Sequence, residues 1–142
     1  MHRLFNAFEM RMPLFRIETG HCNLGLKPSP IIPSWIIEGN PEARSQKLSA
    51  SADRAAATLI WACTEGKFSW YYDFDETIII LERSAVLESE GILPKRYGVG
   101  DVIFFRSGAH VKWHIEGYVK KVAFCVRPIR SGSVSLSVAS TV

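Results

Sequence analysis

From Thr58 to Val126 the chain is a series of short β-branched and aromatic runs, each cut by turn residues. That pattern leaves little besides an antiparallel sandwich or barrel. Thr58 to Cys63 ends at Thr64-Glu65-Gly66, which reads as a turn, and Phe68 to Tyr72 ends at the polar corner Asp73-Phe74-Asp75. Thr77 to Leu81 is β-branched, with Ser84 to Leu87 continuing it after a bend. Val102 to Phe105 follows the turn Gly98-Val99-Gly100-Asp101. Val111 to Ile115 is separated by Glu116-Gly117 from Val119 to Val126. The last run sets Val122, Phe124 and Val126 on one face against Lys121, Ala123 and Cys125 on the other. Glu42 to Ala57 contains good helix formers, but its apolar residues keep no 3.6-residue period. The expected fold class is all-β.

The totals agree with one domain. At 142 residues, 47% hydrophobic and 22% charged, the chain can close one core and is too apolar to stay unfolded. The net charge of +3 is spread thinly, without the dense basic stripe that nucleic acid requires. No run approaches the roughly 20 apolar residues of a membrane span. Three cysteines (Cys22, Cys63 and Cys125) at wide spacings point away from a disulfide framework and toward a reducing, cytoplasmic setting. Residues 1–30, with Gly20, Gly25, Pro28 and Pro30, read as an irregular arm. Residues 31–130 read as the β-domain, and 131–142 as a Ser-rich flexible tail.

Two stretches resemble a known family. One runs from Trp61 through Thr64-Glu65-Gly66-Lys67-Phe68-Ser69-Trp70 and Glu76-Thr77 to Ile80-Leu81-Glu82. The other is Gly100-Asp101-Val102-Ile103-Phe104-Phe105-Arg106-Ser107-Gly108, followed by Trp113 and Lys120-Lys121. With Glu38-Gly39-Asn40-Pro41-Glu42-Ala43-Arg44 upstream, they resemble the cupin superfamily, in its (S)-ureidoglycine aminohydrolase-like subfamily. The resemblance covers about residues 34–128 and implies a single RmlC-like jelly-roll β-barrel.

Cupins carry Gly-x5-His-x-His-x3–4-Glu-x6-Gly and then Gly-x5-Pro-x-Gly-x2-His-x3-Asn, whose three His and one Glu hold a divalent metal inside the barrel. His-x-His works because residues two apart on a strand face the same way. On this chain the resemblance puts the Glu at Glu76, the paired His positions at Trp70 and Tyr72, and the third at Val111. The closing Gly becomes Arg83, and Arg106 replaces the Pro. His110 is one residue out of place, which turns it to the other face unless a bulge at Gly108-Ala109 turns it back.

The pocket residues expected from this reading are Trp70, Tyr72, Glu76, Val111, Trp113 and Lys121. Trp70, Tyr72 and Trp113 either fill the barrel as core or wall a pocket for a flat, polar small molecule. An inward Glu76 must be paired, and Lys121, beside the small Ala123 and Cys125, is the candidate partner. Cys63 and Cys125 read as buried small hydrophobes. Two functions follow. One is a barrel that binds a small polar metabolite without a cofactor. The other is a metal-dependent enzyme of the ureidoglycine aminohydrolase-like type, whose metal would rest on Glu76 and His110. A homodimer is expected, since small barrels cover their open edges by pairing.

Overall fold

Three long antiparallel strands frame the computed structural model, which describes residues 17–128 except Leu24. In chain order the strands are β1 (Lys27–Pro28), β2 (Ile36–Glu38), β3 (Ala43–Ala50), β4 (Ala56–Tyr71), β5 (Asp75–Ser89), β6 (Ile92–Gly98), β7 (Val102–Phe105) and β8 (His110–Val126). The frame is β4, β8 and β5, of 16, 17 and 15 residues. The sheet runs β1-β3-β4-β8-β5-β6, with β2 on β4 and β7 on β5. The fold is all-β, as the spacing of the short runs predicts, and agrees with the jelly-roll barrel that the resemblance implies. Its first strand, at Lys27–Pro28, falls in the stretch read as the arm. The rest of the arm up to residue 16, and the tail from 131, lie outside the described residues.

The expected turns at Thr64-Glu65-Gly66 and Glu116-Gly117 are not turns. Both lie inside continuous strands, where Glu116 and Gly117 together oppose the single residue Glu65 in a β-bulge. The bulge bends the pair without ending it, and β4 changes phase there. Trp61 and Cys63 are buried before it, Phe68 after it. Gly66 is required at this point: a Cβ there would sit 2.7 Å from the Pro41 ring. A second phase change in β5 lies between Ile80 and Val86, where Arg83 takes φ 59°. It keeps both Glu76, Ile78 and Ile80 and then Ala85 and Leu87 inside.

The stretch from Glu42 to Ala57, noted for its helix formers, is strand β3 followed by a turn. Ser51 and Asp53 hold that turn, the Asp53 carboxylate accepting from the Ser51 hydroxyl and the Ala55 N–H. Strand β6, with Pro94 inside it, is an exposed edge and was not visible as a run. Inside the barrel lies an aromatic and aliphatic core of Trp61, Phe68, Tyr72, Ile78, Ile80, Leu87, Phe105, Trp113, Ile115 and Val119. No helix among the described residues is long and apolar enough to cross a membrane.

Candidate functional site

Strands β4, β5 and β8 each send chemistry-bearing side chains to one end of the barrel interior. On β8 the odd-numbered residues point inward, which puts Trp113 and Lys121 inside with Val119 and Ala123. Across from them β4 contributes Trp61, Phe68 and Trp70, and β5 contributes Glu76. These residues, with Ser29, Ser45, Leu59, Tyr72 and Phe74, enclose a cavity of about 160 Å³. A cavity of that order accommodates a molecule the size of benzene.

The floor is charged. Lys121 Nζ donates to Glu76 Oε2 at 2.9 Å, and both side chains are buried, at 8% and 7% exposure. The ammonium also lies 4.8 Å from the Trp61 ring and 4.9 Å from the Trp113 ring. Two indole faces thus supply part of the solvation that burial removes. Cys125 Sγ donates to the other carboxylate oxygen, Glu76 Oε1, at 3.3 Å. The thiol read as an apolar filler is therefore a member of the polar network. Burial first, then the neighbouring Glu76 charge, pushes the Cys125 thiol up to about 12. Burial likewise pushes Cys63 up to about 12, against the opposing influence of Lys121. Neither thiol ionises near neutrality, which removes both as nucleophiles.

The walls are aromatic. Trp113 stacks on Phe68 with centroids 6.0 Å apart, and Trp61 meets Phe68, Trp70 and Trp113 edge-on or tilted at 5.8–6.2 Å. Trp35, from the 3-10 turn Pro33–Trp35, packs edge-on against Trp70 at 5.1 Å. Tyr72 lies just past the end of β4 and stacks on Phe105 at 4.5 Å. Its backbone is tied to the 106–109 turn, donating to the Ala109 carbonyl at 2.9 Å and accepting from the Gly108 N–H at 2.7 Å. Burial, then the Glu76 charge, raises Tyr72 well above 10, so its hydroxyl keeps its proton. The fully buried Trp113 N–H opposes this shift as a hydrogen-bond donor toward Tyr72, at a geometry short of an ideal hydrogen bond.

Five of the six expected pocket residues, Trp70, Tyr72, Glu76, Trp113 and Lys121, line this one cavity. Val111 is buried but faces a second recess with Leu87, Phe105 and Ala109. His110 lies on the outer face. Register there is regular, Trp70 opposite Val111 and Tyr71 opposite His110, so no bulge turns it inward. Its ring stacks on Tyr71 at 4.4 Å and shares a 3.0 Å hydrogen bond with the Ser69 hydroxyl. Trp61 and Phe68 were not expected at the site. Phe68 shares the inward parity of Trp70, whereas Trp61 lies beyond the phase change at Glu65, so that parity counted from Trp70 puts it on the wrong face.

The residues at the cupin ligand positions do not fit a divalent cation. Trp70, Tyr72 and Val111 offer no imidazole, and the remaining carboxylate is bound to an ammonium. No three His, Cys, Asp or Glu cluster in metal-binding fashion among the described residues. A cation entering beside Lys121 would meet like charge at close range.

The chain matches the EutQ-like cupin domain over residues 50–123. A protein of unknown function from Pseudomonas syringae superposes with TM-score 0.68 at 28% identity, covering 75% of this chain and 46% of its own. The chain thus spans about half the length of that relative. A putative ethanolamine utilization protein Q from Salmonella typhimurium superposes with TM-score 0.54 at 20% identity, covering 60% of this chain and 69% of its own. The EutQ protein of Clostridium difficile gives TM-score 0.55 at 12% identity, with 70% of this chain and 81% of its own covered. At those identities the last two speak for the fold alone. No curated protein matches the chain.

Proposed function

This chain belongs to the EutQ-like cupin family, and we propose that its barrel binds a small polar metabolite between aromatic walls, with no tightly held metal. The observation that carries the reading is the closed Glu76–Lys121 pair, 2.9 Å apart, on the floor of a cavity walled by Trp61, Trp70 and Trp113. A buried carboxylate needs a positive partner, and here a lysine supplies what a metal supplies at that motif position in other cupins. The same pair leaves the ureidoglycine aminohydrolase-like, metal-dependent reading without a ligand set. The role is that of a sensor, carrier or interaction module in the cytoplasm, working as a homodimer. Its three free cysteines suit a reducing compartment.

The chain has four tryptophans. Three line the cavity and Trp35 packs on one of them, so intrinsic fluorescence reports on occupancy. Titrating untagged protein with a panel of small polar metabolites is expected to shift the emission for a subset of flat compounds. Elemental analysis of the same protein is expected to find transition metal far below stoichiometry. Near-stoichiometric zinc, iron, manganese or nickel would overturn the metal-free reading, and emission indifferent to every compound would overturn binding.

A further inference from the structure

The cavity floor carries the parts of an activated nucleophile. Lys121 Nζ and Glu76 Oε2 are 2.9 Å apart, the reach of a nucleophile and the base that takes its proton. A third group orients the base, since Cys125 Sγ donates to Glu76 Oε1 at 3.3 Å. Lys121 and Glu76 both line the cavity, and Lys121 is the one amine among the described residues that do so. The remaining polar side chains of the lining are hydroxyls, from Ser29, Ser45 and Tyr72. Exposed lysines are hydrated ammonium groups without a positioned base. A buried lysine with a carboxylate at hydrogen-bond distance is equipped to form an imine with a carbonyl carbon.

The step balances on these two residues. Lys121 hands a proton across the hydrogen bond to Glu76, and the freed Nζ lone pair attacks the carbonyl carbon of an aldehyde. The C=O π electrons move to oxygen, and a proton passes from nitrogen to that oxygen to give a carbinolamine. Glu76 then gives its proton to the carbinolamine hydroxyl, which leaves as water, and the nitrogen lone pair closes the C=N bond. An iminium beside a carboxylate results, so the buried charges cancel at the end as they do at the start. No oxidant or reductant is required.

Surroundings that hold an ammonium also suit an iminium. The ring faces of Trp61 and Trp113, 4.8 and 4.9 Å from Nζ, attract either cation. The Lys121 side chain is only 8% exposed, which keeps bulk water from hydrolysing the adduct. About 160 Å³ between indole and phenyl rings takes a small flat molecule. A carboxylate or phosphate on that molecule would add an unpaired charge to a pair that is already neutral.

Resting on the binding reading above, we infer that Lys121 captures small, planar, uncharged aldehydes as a reversible imine, with Glu76 moving the proton.

Benzaldehyde with cyanoborohydride, added to the full chain at neutral pH, tests this. The reagent delivers hydride to an iminium and fixes it as a benzylamine, and peptide mass mapping locates the label. Lys121 is expected to be labelled about tenfold faster than the exposed Lys95 and Lys112, the effect of a positioned base. Glu76→Gln is expected to slow labelling at Lys121 about a hundredfold and to leave Lys95 and Lys112 unchanged. Should that variant fold poorly, the wild-type ratio between sites decides alone. Benzyl alcohol, of similar shape without the carbonyl, is expected to shift tryptophan emission and leave no label. Lys121 labelled no faster than Lys95 and Lys112, while benzyl alcohol still shifts the emission, would overturn capture and leave a binding cavity. Labelling at Lys121 untouched by Glu76→Gln would overturn the role given to Glu76. No label at Lys121 and no emission change with either compound would overturn capture and weigh against the cavity reading as well.

Discussion

Lys121 Nζ sits 2.9 Å from Glu76 Oε2 and just under 5 Å from the faces of both Trp61 and Trp113, all inside one barrel. The pair joins the middle of β8 to the start of β5, and Cys125 closes the other side of the carboxylate. Removing one member strands the other. Glu76→Gln keeps the shape and leaves a buried ammonium without its counter-charge, a loss of roughly 3–5 kcal/mol when water stays out. Replacing both, Glu76→Gln with Lys121→Met, is expected to recover much of that loss, giving a coupling energy above about 1 kcal/mol in denaturant unfolding. Losses that simply add would show the two side chains to be energetically independent.

Alkali should loosen this protein. Cys63 and Cys125 are pushed up to about 12 from an ordinary 9.0 by burial, and Tyr72 lies well above its ordinary 10. A raised acid pKa means that folding favours the protonated form. That contribution is complete below the unfolded value near 9 and disappears as pH rises through the folded value near 12. The urea midpoint is expected to hold from pH 7 to 8.5 and to fall between pH 9.5 and 11. Cys63→Ala is expected to flatten that fall. A midpoint unchanged at pH 11 would mean that the thiols reach solvent in the folded state. The same burial predicts that, at pH 8, a thiol reagent modifies Cys63 and Cys125 only slowly.

Much of the site was legible because strand parity and motif spacing act together. Glu76 and Lys121 follow from the motif position and from the small side chains around Lys121 on β8. Trp70, Tyr72 and Trp113 follow from alternation. The limits have one cause. Parity carries information only along an uninterrupted strand, and Glu65 and Arg83 each reset it. A Thr-Glu-Gly triplet can stand for a turn or for a bulge, since both need polarity and a glycine, and the choice rests on the partner strand. Trp61 lay beyond that reset, and for that reason was missed. Val111 has the inward parity expected of it, yet opens on a different recess, a distinction of depth along the barrel that alternation does not contain.

The outer face of the same strands predicts the assembly. Thr77 lies between Phe104 and Phe124, and Ile79 between Val102 and Val122, so two apolar rows cross β7, β5 and β8. Phe104, Phe124, Val102 and Val126 are exposed, at 52%, 41%, 65% and 49%. A contiguous apolar patch of this kind marks an interaction surface, and a second copy of the chain is the expected occupant. Sedimentation at tens of micromolar should give a dimer. Phe104→Glu with Phe124→Glu should give a monomer with an unchanged circular dichroism spectrum, because neither side chain belongs to the core. A wild-type monomer at that concentration would count against the assembly, and a dimer that survives the double change would move the interface elsewhere. Deleting residues 1–16, which spares β1, tests the arm separately.

Arg83 stands where the cupin motif closes on glycine, and its backbone keeps the conformation that a glycine would take, with φ 59°. A side chain in this region brings Cβ against the following carbonyl, at a cost of roughly 1–2 kcal/mol. The guanidinium offers no compensation through burial, for the residue is exposed beside the phase change in β5. Glycine would remove the strain but loosen the unfolded chain, which takes back about 0.4–1 kcal/mol. Arg83→Gly is therefore expected to raise stability by about 0.5–1 kcal/mol. Arg83→Val, β-branched and less tolerant of positive φ, should lower it. An Arg83→Gly protein less stable than wild type would show that the arginine side chain makes a contact worth more than the strain it imposes.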